Sequence, residues 1–320
     1  MATSLLTLIV ILGFLPMRGL AMELEIIGNQ IILSGPVVGD EPGKLREVLA
    51  RSPGIDTVIL RNSLGGNAPS GYRVGELLRE RSLRTAVSGY CYSSCSRMLL
   101  GGSTRYFTDD YPAEYTNVGF HGHYDAKGRL DSYTVRQYGL GDWIIKYSDG
   151  KADPLLVERW INIPYSRGMI HFFHPGLVKH GGTSTFMCQG EEAAGSVFAC
   201  ERIDKTALDL GVVTSLEIVH SADQAELRAA IPIRPRASGF ASITDSGKVP
   251  LSVDRGLEEY RRFLNGGLPR AFAISPDGKY WAWNAGTFDA VSLAIARCAE
   301  RSHQQCQLYA VDEDVVWMPK

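Results

Sequence analysis

Charge of one sign is what this sequence most clearly lacks: 33 Lys and Arg stand against 35 Asp and Glu over 320 residues, a formal net charge of -2. Without a basic excess there is no electrostatic footprint for tracking phosphates, so nucleic acid is not an expected partner. A second long apolar run is missing too, and mean hydropathy is -0.06, which argues against a multi-span membrane protein. The chain has no internal repeat and no low-complexity segment. It has no Cys-x-x-Cys pair of the kind a structural zinc site uses, and no Gly-x-x-x-x-Gly-Lys loop for a nucleoside triphosphate. No metal or cofactor is therefore implied. What is there is an ordinary globular composition, 45% hydrophobic and 21% charged, sufficient for one large domain or two average ones. The expected partner is a protein, a peptide or a small molecule.

The first residues decide the compartment. Leu5 to Met17 form an apolar run, followed by Arg18, Gly19, Leu20 and Ala21, so small residues stand at the two positions that matter for cleavage after Ala21. The run is short of the ~20 apolar residues a spanning helix needs. Residues 1–21 read as a secretory signal, although no Lys or Arg precedes the run, and an uncleaved anchor is the alternative. The chain is thus expected to be periplasmic or secreted, or held at a membrane by this segment. Export turns the six cysteines into disulfide candidates, and they fall in three local pairs: Cys91 with Cys95, Cys188 with Cys200, and Cys298 with Cys306. Sequential pairing is an expectation from proximity alone.

From Met22 to about Ser215, short β-branched runs alternate with amphipathic stretches. Glu25 to Ser34 reads as a hairpin turning at Gly28-Asn29, Ile55 to Arg61 as a buried strand, and Arg84 to Ser88 as another. Lys44 to Arg51, Tyr72 to Arg81 and Ser93 to Leu100 carry helical spacing, as do Trp143 to Tyr147 and Leu155 to Trp160. Ala207 to Thr214 reads as a helix end stopped by Gly211, with Val212 and Val213 starting a strand. Strand and helix in alternation predict an α/β fold with right-handed crossovers and a largely parallel sheet over 22–220. A polar, proline-containing stretch over 221–267 reads as a connecting region. Residues 268–320 have their own pattern: strand, a Ser275-Pro276-Asp277-Gly278 turn, strand, a helix over Phe288 to Ala299, and one or two further strands. This predicts a small α+β unit.

Three segments stand at the carboxyl ends of expected strands: Asn62-Ser63-Leu64-Gly65-Gly66, Gly89-Tyr90-Cys91-Tyr92-Ser93-Ser94-Cys95, and Gly119-Phe120-His121-Gly122-His123. In parallel sheets that edge is where sites assemble. A serine at a sharp strand-to-helix turn exposes its hydroxyl, a histidine can take its proton, and paired glycines let main-chain amides approach a carbonyl oxygen. Taken singly, a Gly-Gly is usually a turn and such a serine usually a helix cap; their order and spacing together carry the functional reading.

These segments resemble the proteolytic subunit of the Clp protease and its exported relatives in the crotonase superfamily. The similarity runs from about Val58 to Tyr124, and loosely on to Ser215 through Ala207-Leu208-Asp209-Leu210-Gly211-Val212-Val213. The family pattern is Asn-Ser-Pro-Gly-Gly, then Gly-x-Ala-x-Ser-Met-Gly, then a histidine after a short apolar strand. The resemblance implies a spiral of β-β-α units, with Ser93 as nucleophile, His121 as base, and the N–H groups of Gly66 and Ser94 as oxyanion hole. Exported relatives are similar in flanking the serine with two cysteines, as Cys91 and Cys95 do. Leu64 replaces the family proline and Ser94-Cys95 replaces Met-Gly, so Ser94 competes as nucleophile, and His123 competes with His121. The family's aspartate has no clear counterpart, and Glu201 and Asp204 are only nearby candidates. The implied activity is an exported serine hydrolase, a peptidase acting on peptide or small acyl substrates through an acyl-enzyme. It would work without an ATPase partner and could assemble as a homo-oligomer. The alternative is an inactive binding or scaffold protein of the cell envelope. His171, His174 and His180 lack a zincin-type Glu and read as packing or surface groups, and Trp281 and Trp283 read as cross-strand packing. The C-terminal unit weakly resembles small secreted cysteine-containing domains of unknown function.

Overall fold

Val58, Ile59 and Leu60 follow one another without a polar break, the pattern of a strand covered on both faces, and all three are fully buried. They lie at the centre of the larger of two sheets in this computed structural model, which describes residues 21–191, 197–230, 235–266, 268–285 and 290–319. The expected signal segment lies outside the described residues but for Ala21. Among the described residues no helix is long and apolar enough to cross a membrane.

The hairpin β1 (Glu23–Ile27) and β2 (Gln30–Ser34) leads through α1 (Glu41–Arg51) to β3 (Thr57–Ser63), α2 (Ala68–Glu80), β4 (Arg84–Tyr92), α3 (Ser94–Gly101), β5 (Arg105–Thr108) and β6 (Asn117–Phe120). Strands β2, β3, β4 and β6 are parallel neighbours, and β4 is long enough to pair β5 along Thr85–Val87 and β6 along Tyr90–Tyr92. Helix α2 starts well because Asn67 Oδ1 accepts the Ser70 N–H at 2.9 Å and Pro69 fits the first turn. It then packs on α3 backbone to backbone: a Cβ on Gly75 would stand 2.7 Å from the Arg97 carbonyl oxygen.

After β6 the chain forms α4 (Ser132–Gln137), α5 (Leu140–Tyr147) and α6 (Pro154–Ile161). It returns as β7 (Met169–Phe173), β8 (Thr185–Cys188) and β9 (Glu201–Ile203), which extend the sheet antiparallel from β6. The expected mostly parallel sheet thus has a parallel centre and an antiparallel flank. Trp160 of α6 is fully buried between Phe120 and Phe172 and anchors the helices on that flank. The expected helix over Ala207 to Thr214 is instead a series of turns, and Val212 and Val213 are buried without joining a strand. A short β10 (Ile218–Val219) pairs β5 in parallel, and Asp223, just before α7 (Gln224–Ala230), closes on Arg61 at 2.6 Å.

The second unit is a four-stranded antiparallel sheet. Helix α8 (Asp254–Leu264) covers one face and α9 (Ala290–Ser302) the other, over β11 (Arg270–Ile274), β12 (Trp281–Ala285), β13 (Gln307–Val311) and β14 (Asp314–Val315) in the order β12-β11-β13-β14. The turn over 275–278 closes with Gly278 N–H on the Ser275 carbonyl at 2.9 Å. Val249, Tyr260 and Phe263 are buried against Phe272 and Tyr309, so the second half of the expected connecting region belongs to this unit, and the expected boundary at 268 falls inside it. Periodicity hid this because Asp254–Leu264 carries six charged residues around three buried ones. The three expected cysteine pairs are all bridged: Cys91–Cys95, Cys188–Cys200 and Cys298–Cys306.

Candidate active site

Strand β4 ends at Tyr92 and α3 begins at Ser94, so Ser93 alone makes the turn. It does so with φ 57 and ψ -120, a conformation that costs a residue with a Cβ about 1–3 kcal/mol. Three contacts hold it there. Ser93 N–H donates to the Gly119 carbonyl at 3.0 Å, Ser96 N–H and Oγ donate to the Ser93 carbonyl, and the disulfide from Cys91 to Cys95 brackets it inside the core. Ser93 is part-exposed, whereas Ser94 is buried, with its Cβ facing Gly71 of α2 and its hydroxyl without a partner among the described residues. Of the two candidate serines, Ser93 is the one turned toward solvent at the sheet edge.

Gly65 and Gly66 run between Val37 and this turn. On one side Val37 N–H donates to the Gly65 carbonyl at 2.9 Å and Asn67 N–H to the Val37 carbonyl at 2.8 Å. That bridge leaves the Gly66 N–H outside it, directed away from Val37. On the other side a Cβ on Gly65 would stand 2.7 Å from the Ser93 Cβ and 2.9 Å from the Ser94 nitrogen, so only glycine permits the approach. The Gly65 backbone is thus held against the Ser93 turn, and the Ser94 N–H stands in the first turn of α3.

His121 follows β6 directly. Tyr92 at the end of β4 pairs with Gly119 of β6, which ends one residue later at Phe120, so Ser93 and His121 follow neighbouring parallel strands. The His121 ring is buried, and its Nδ1 lies 3.2 Å from the Gly168 carbonyl oxygen. A carbonyl only accepts, so Nδ1 carries the proton and Nε2 keeps its lone pair. Burial, and next the positive charge of Arg97, push the His121 pKa down to about 4, so the ring is neutral near pH 7. His123 is pushed down to about 3 by the same two causes, and its Nε2 is engaged by Tyr72 Oη at 2.9 Å. His171 lies on β7 with its Nδ1 3.1 Å from Asn117 Oδ1.

The third position departs from expectation. Glu201 lies on β9 at the far edge of the antiparallel flank, in an exposed ion pair with Arg159 at 2.6 Å, and Asp204 is exposed beyond it. What meets the His121 ring is the main chain just before β7, because β7 folds back beside β6. The Gly168 carbonyl fixes the tautomer without adding a charge, and no feature of the sequence marks Gly168 for this. Nothing in the sequence marks Arg97 either. Its guanidinium is buried 5.0 Å from the Tyr72 ring centre, with Nε and Nη1 unpartnered among the described residues. His174 is held by the Leu216 carbonyl at 3.1 Å and His180 stacks on Phe198, so with His171 these histidines pack as expected; among the described residues no group of His, Cys, Asp and Glu could hold a metal.

The sequence matches no protein-family model and no curated protein. Among solved structures, it is similar to ClpP1 from Listeria monocytogenes, at 13% identity and TM-score 0.38 over 61% of this chain and 94% of that one. A point mutant of ClpP1 from the same organism is similar at 12% identity and TM-score 0.37, over 62% and 94%.

The position of the Cys91–Cys95 bridge leads to a prediction. A loop closed over a sequence separation of 4 stabilises by about 2 kcal/mol, against about 3 kcal/mol for the separation of 12 between Cys188 and Cys200. Its larger effect is on the Ser93 turn. Cys91→Ala/Cys95→Ala is expected to slow modification of Ser93 by a fluorophosphonate about 10-fold or more. Cys188→Ala/Cys200→Ala should lose more stability and keep that rate; equal slowing in both variants would contradict a local role.

Proposed function

We propose that this chain is an exported Clp-protease-like serine hydrolase that cleaves peptides or small acyl compounds through an acyl-enzyme. The observation that supports the reading is Ser93, held at positive φ against Gly65 at the end of β4, while a neutral His121 follows the neighbouring parallel strand β6. Ser93 Oγ attacks the substrate carbonyl carbon while His121 Nε2 takes the hydroxyl proton. The oxygen that gains the negative charge is met by the N–H groups of Gly66 and Ser94. When the tetrahedral adduct collapses, the leaving amine or alcohol takes the proton from His121. Water then attacks the acyl-enzyme, His121 removes its proton, and Ser93 leaves protonated with the acid released. The Gly168 carbonyl acts only by orienting the ring, so the site works as a serine–histidine dyad without Glu201 or Asp204. Pairing of all six cysteines supports an oxidising compartment, where no ATP-driven unfolding partner would supply substrate. Substrates are then unfolded segments, peptides or small acyl compounds, and a homo-oligomer is part of the same proposal.

A fluorophosphonate probe tests it. The wild-type protein should be labelled at Ser93, and Ser93→Ala should lose the label while Ser94→Ala keeps it. Absence of label on the folded, disulfide-intact protein would leave only a binding or scaffold role.

A further inference from the structure

The second unit carries a site of its own. Among the described residues, β12 is an edge strand of its sheet. Ser275 N–H donates to the Tyr280 carbonyl at 2.9 Å, which makes that pair the hydrogen-bonded one, and alternation along the hairpin makes Ala273–Ala282 and Ala271–Asn284 the next. The N–H and C=O groups of Trp281, Trp283 and Ala285 therefore point away from β11, along the open edge. Their side chains alternate as a strand requires: Trp281 and Trp283 lie toward α8, Ala282 and Asn284 toward α9.

A groove of about 540 Å³ follows this edge, with α8 and α9 as its banks. Its charge is one-sided. Arg255 comes from α8, Lys279 from the approach to β12, and Arg297 and Arg301 from α9, all exposed. Arg297 donates to Asn284 Oδ1 at 2.8 Å and Arg301 to the Trp281 carbonyl at 3.4 Å, both neutral acceptors. Among the described residues no carboxylate lies within ion-pair distance of Arg255, Arg297 or Arg301. Among the described residues the one acid lining the groove, Glu259, is already held by Arg262 at 2.7 Å and by Trp283 Nε1 at 3.1 Å.

We propose that this edge binds an extended acidic peptide segment of a partner protein, which adds to the sheet as a fifth strand beside β12. Backbone groups of Trp283 and Ala285 and the Trp281 N–H supply the main-chain pairing, and Arg297 and Arg301 on the α9 bank receive acidic side chains at alternate positions of the incoming strand, which all lie on one face. Lone cations beside an edge strand can also serve to keep other strands away. Here they come from two helices as well as the approach to the strand and border an open groove, which fits an anionic strand rather than a bare repulsive edge. The proposal does not depend on the Ser93 reading, since the groove lies wholly in the second unit.

Fluorescence polarisation with the full chain tests it, using a fluorescein-labelled Thr-Glu-Val-Glu-Val-Glu-Thr peptide, its lysine counterpart, and a version with proline at the central position. The acidic peptide is expected to bind at least tenfold tighter than the lysine peptide and to weaken as salt rises. It should lose tenfold or more when proline removes a backbone donor, and again with Arg297→Glu/Arg301→Glu, whose near-ultraviolet circular dichroism should match the wild type. Equal binding of the proline version, or displacement of the peptide by oligothymidylate at comparable concentration, would show a polyanion site and overturn strand addition. So would no binding of the acidic peptide by wild-type protein. Loss of the fluorophosphonate label in Ser93→Ala should leave peptide binding unchanged.

Discussion

Ser93→Gly is expected to abolish fluorophosphonate labelling and to raise the melting temperature. Side-chain loss removes the nucleophile, and labelling should fall to the level of the Ser93→Ala variant. Stability should move the other way, because φ 57 with ψ -120 is open to glycine and strained for serine. Relief of about 1–3 kcal/mol, less the ~0.5–1 kcal/mol that glycine loses through its freer unfolded chain, leaves a net gain near 1 kcal/mol. For a unit of this size that is a rise of about 2–4 °C. Ser82→Gly provides the matched control. Ser82 also has positive φ, 53, where α2 gives way to β4, but it has no place in the site. It should gain comparable stability and keep the label. A Ser93→Gly protein that melts lower than wild type would mean that the turn is not strained, and would remove the main structural argument for Ser93 as nucleophile.

What the residues reveal about this turn, and what they conceal, follows from the range of the interactions. The hairpin at Gly28-Asn29, the buried run Val58-Ile59-Leu60 and the turn chemistry of 275–278 are local, and each forms where the sequence places it. Ser93 and Gly66 could be picked out because their order along the chain is itself the pattern. The antiparallel flank could not. Strands of 3 to 5 residues such as Thr185–Cys188 and Glu201–Ile203 are too short for alternation to register, and only pairing, of β8 with β7 and of β9 with β8, makes them strands. The ring partner of His121 is a main-chain carbonyl brought in by that flank, and main-chain carbonyls carry no sequence signature. Arg97 escaped for a different reason. At helical spacing between Ser93 and Leu100 a charged residue reads as a solvent-facing position, whereas here the packing of α2 on α3 buries it over Tyr72.

Burial of the His121 ring and the charge of Arg97 set the second large effect, which acid should expose. His121 titrates near 4 in the folded protein and near 6.5 when unfolded, so between those values the unfolded chain holds the extra proton. Stability is therefore complete above about pH 6.5 and is lost as pH falls toward 4, with His121 alone accounting for about 3 kcal/mol by pH 4. Buried His171 and His123, each pushed down to about 3, act in the same direction. Urea unfolding at a series of pH values should show this fall. Activity has its own signature, because the neutral ring is the base. The rate of Ser93 labelling should be flat from pH 6 to 8 and decline only on approach to about 4, measured in short pulses while the protein remains folded. Burial is the larger cause of the depressed value and Arg97 the next, so Arg97→Met should move the midpoint only part of the way back toward 6.5. Replacing a buried cation that meets Tyr72 but no carboxylate among the described residues with an apolar side chain of similar length should leave stability at pH 7 unchanged or higher. A wild-type midpoint already near 6.5, unmoved by Arg97→Met, would mean that the His121 ring is solvated and that its charge is set neither by burial nor by the guanidinium behind it.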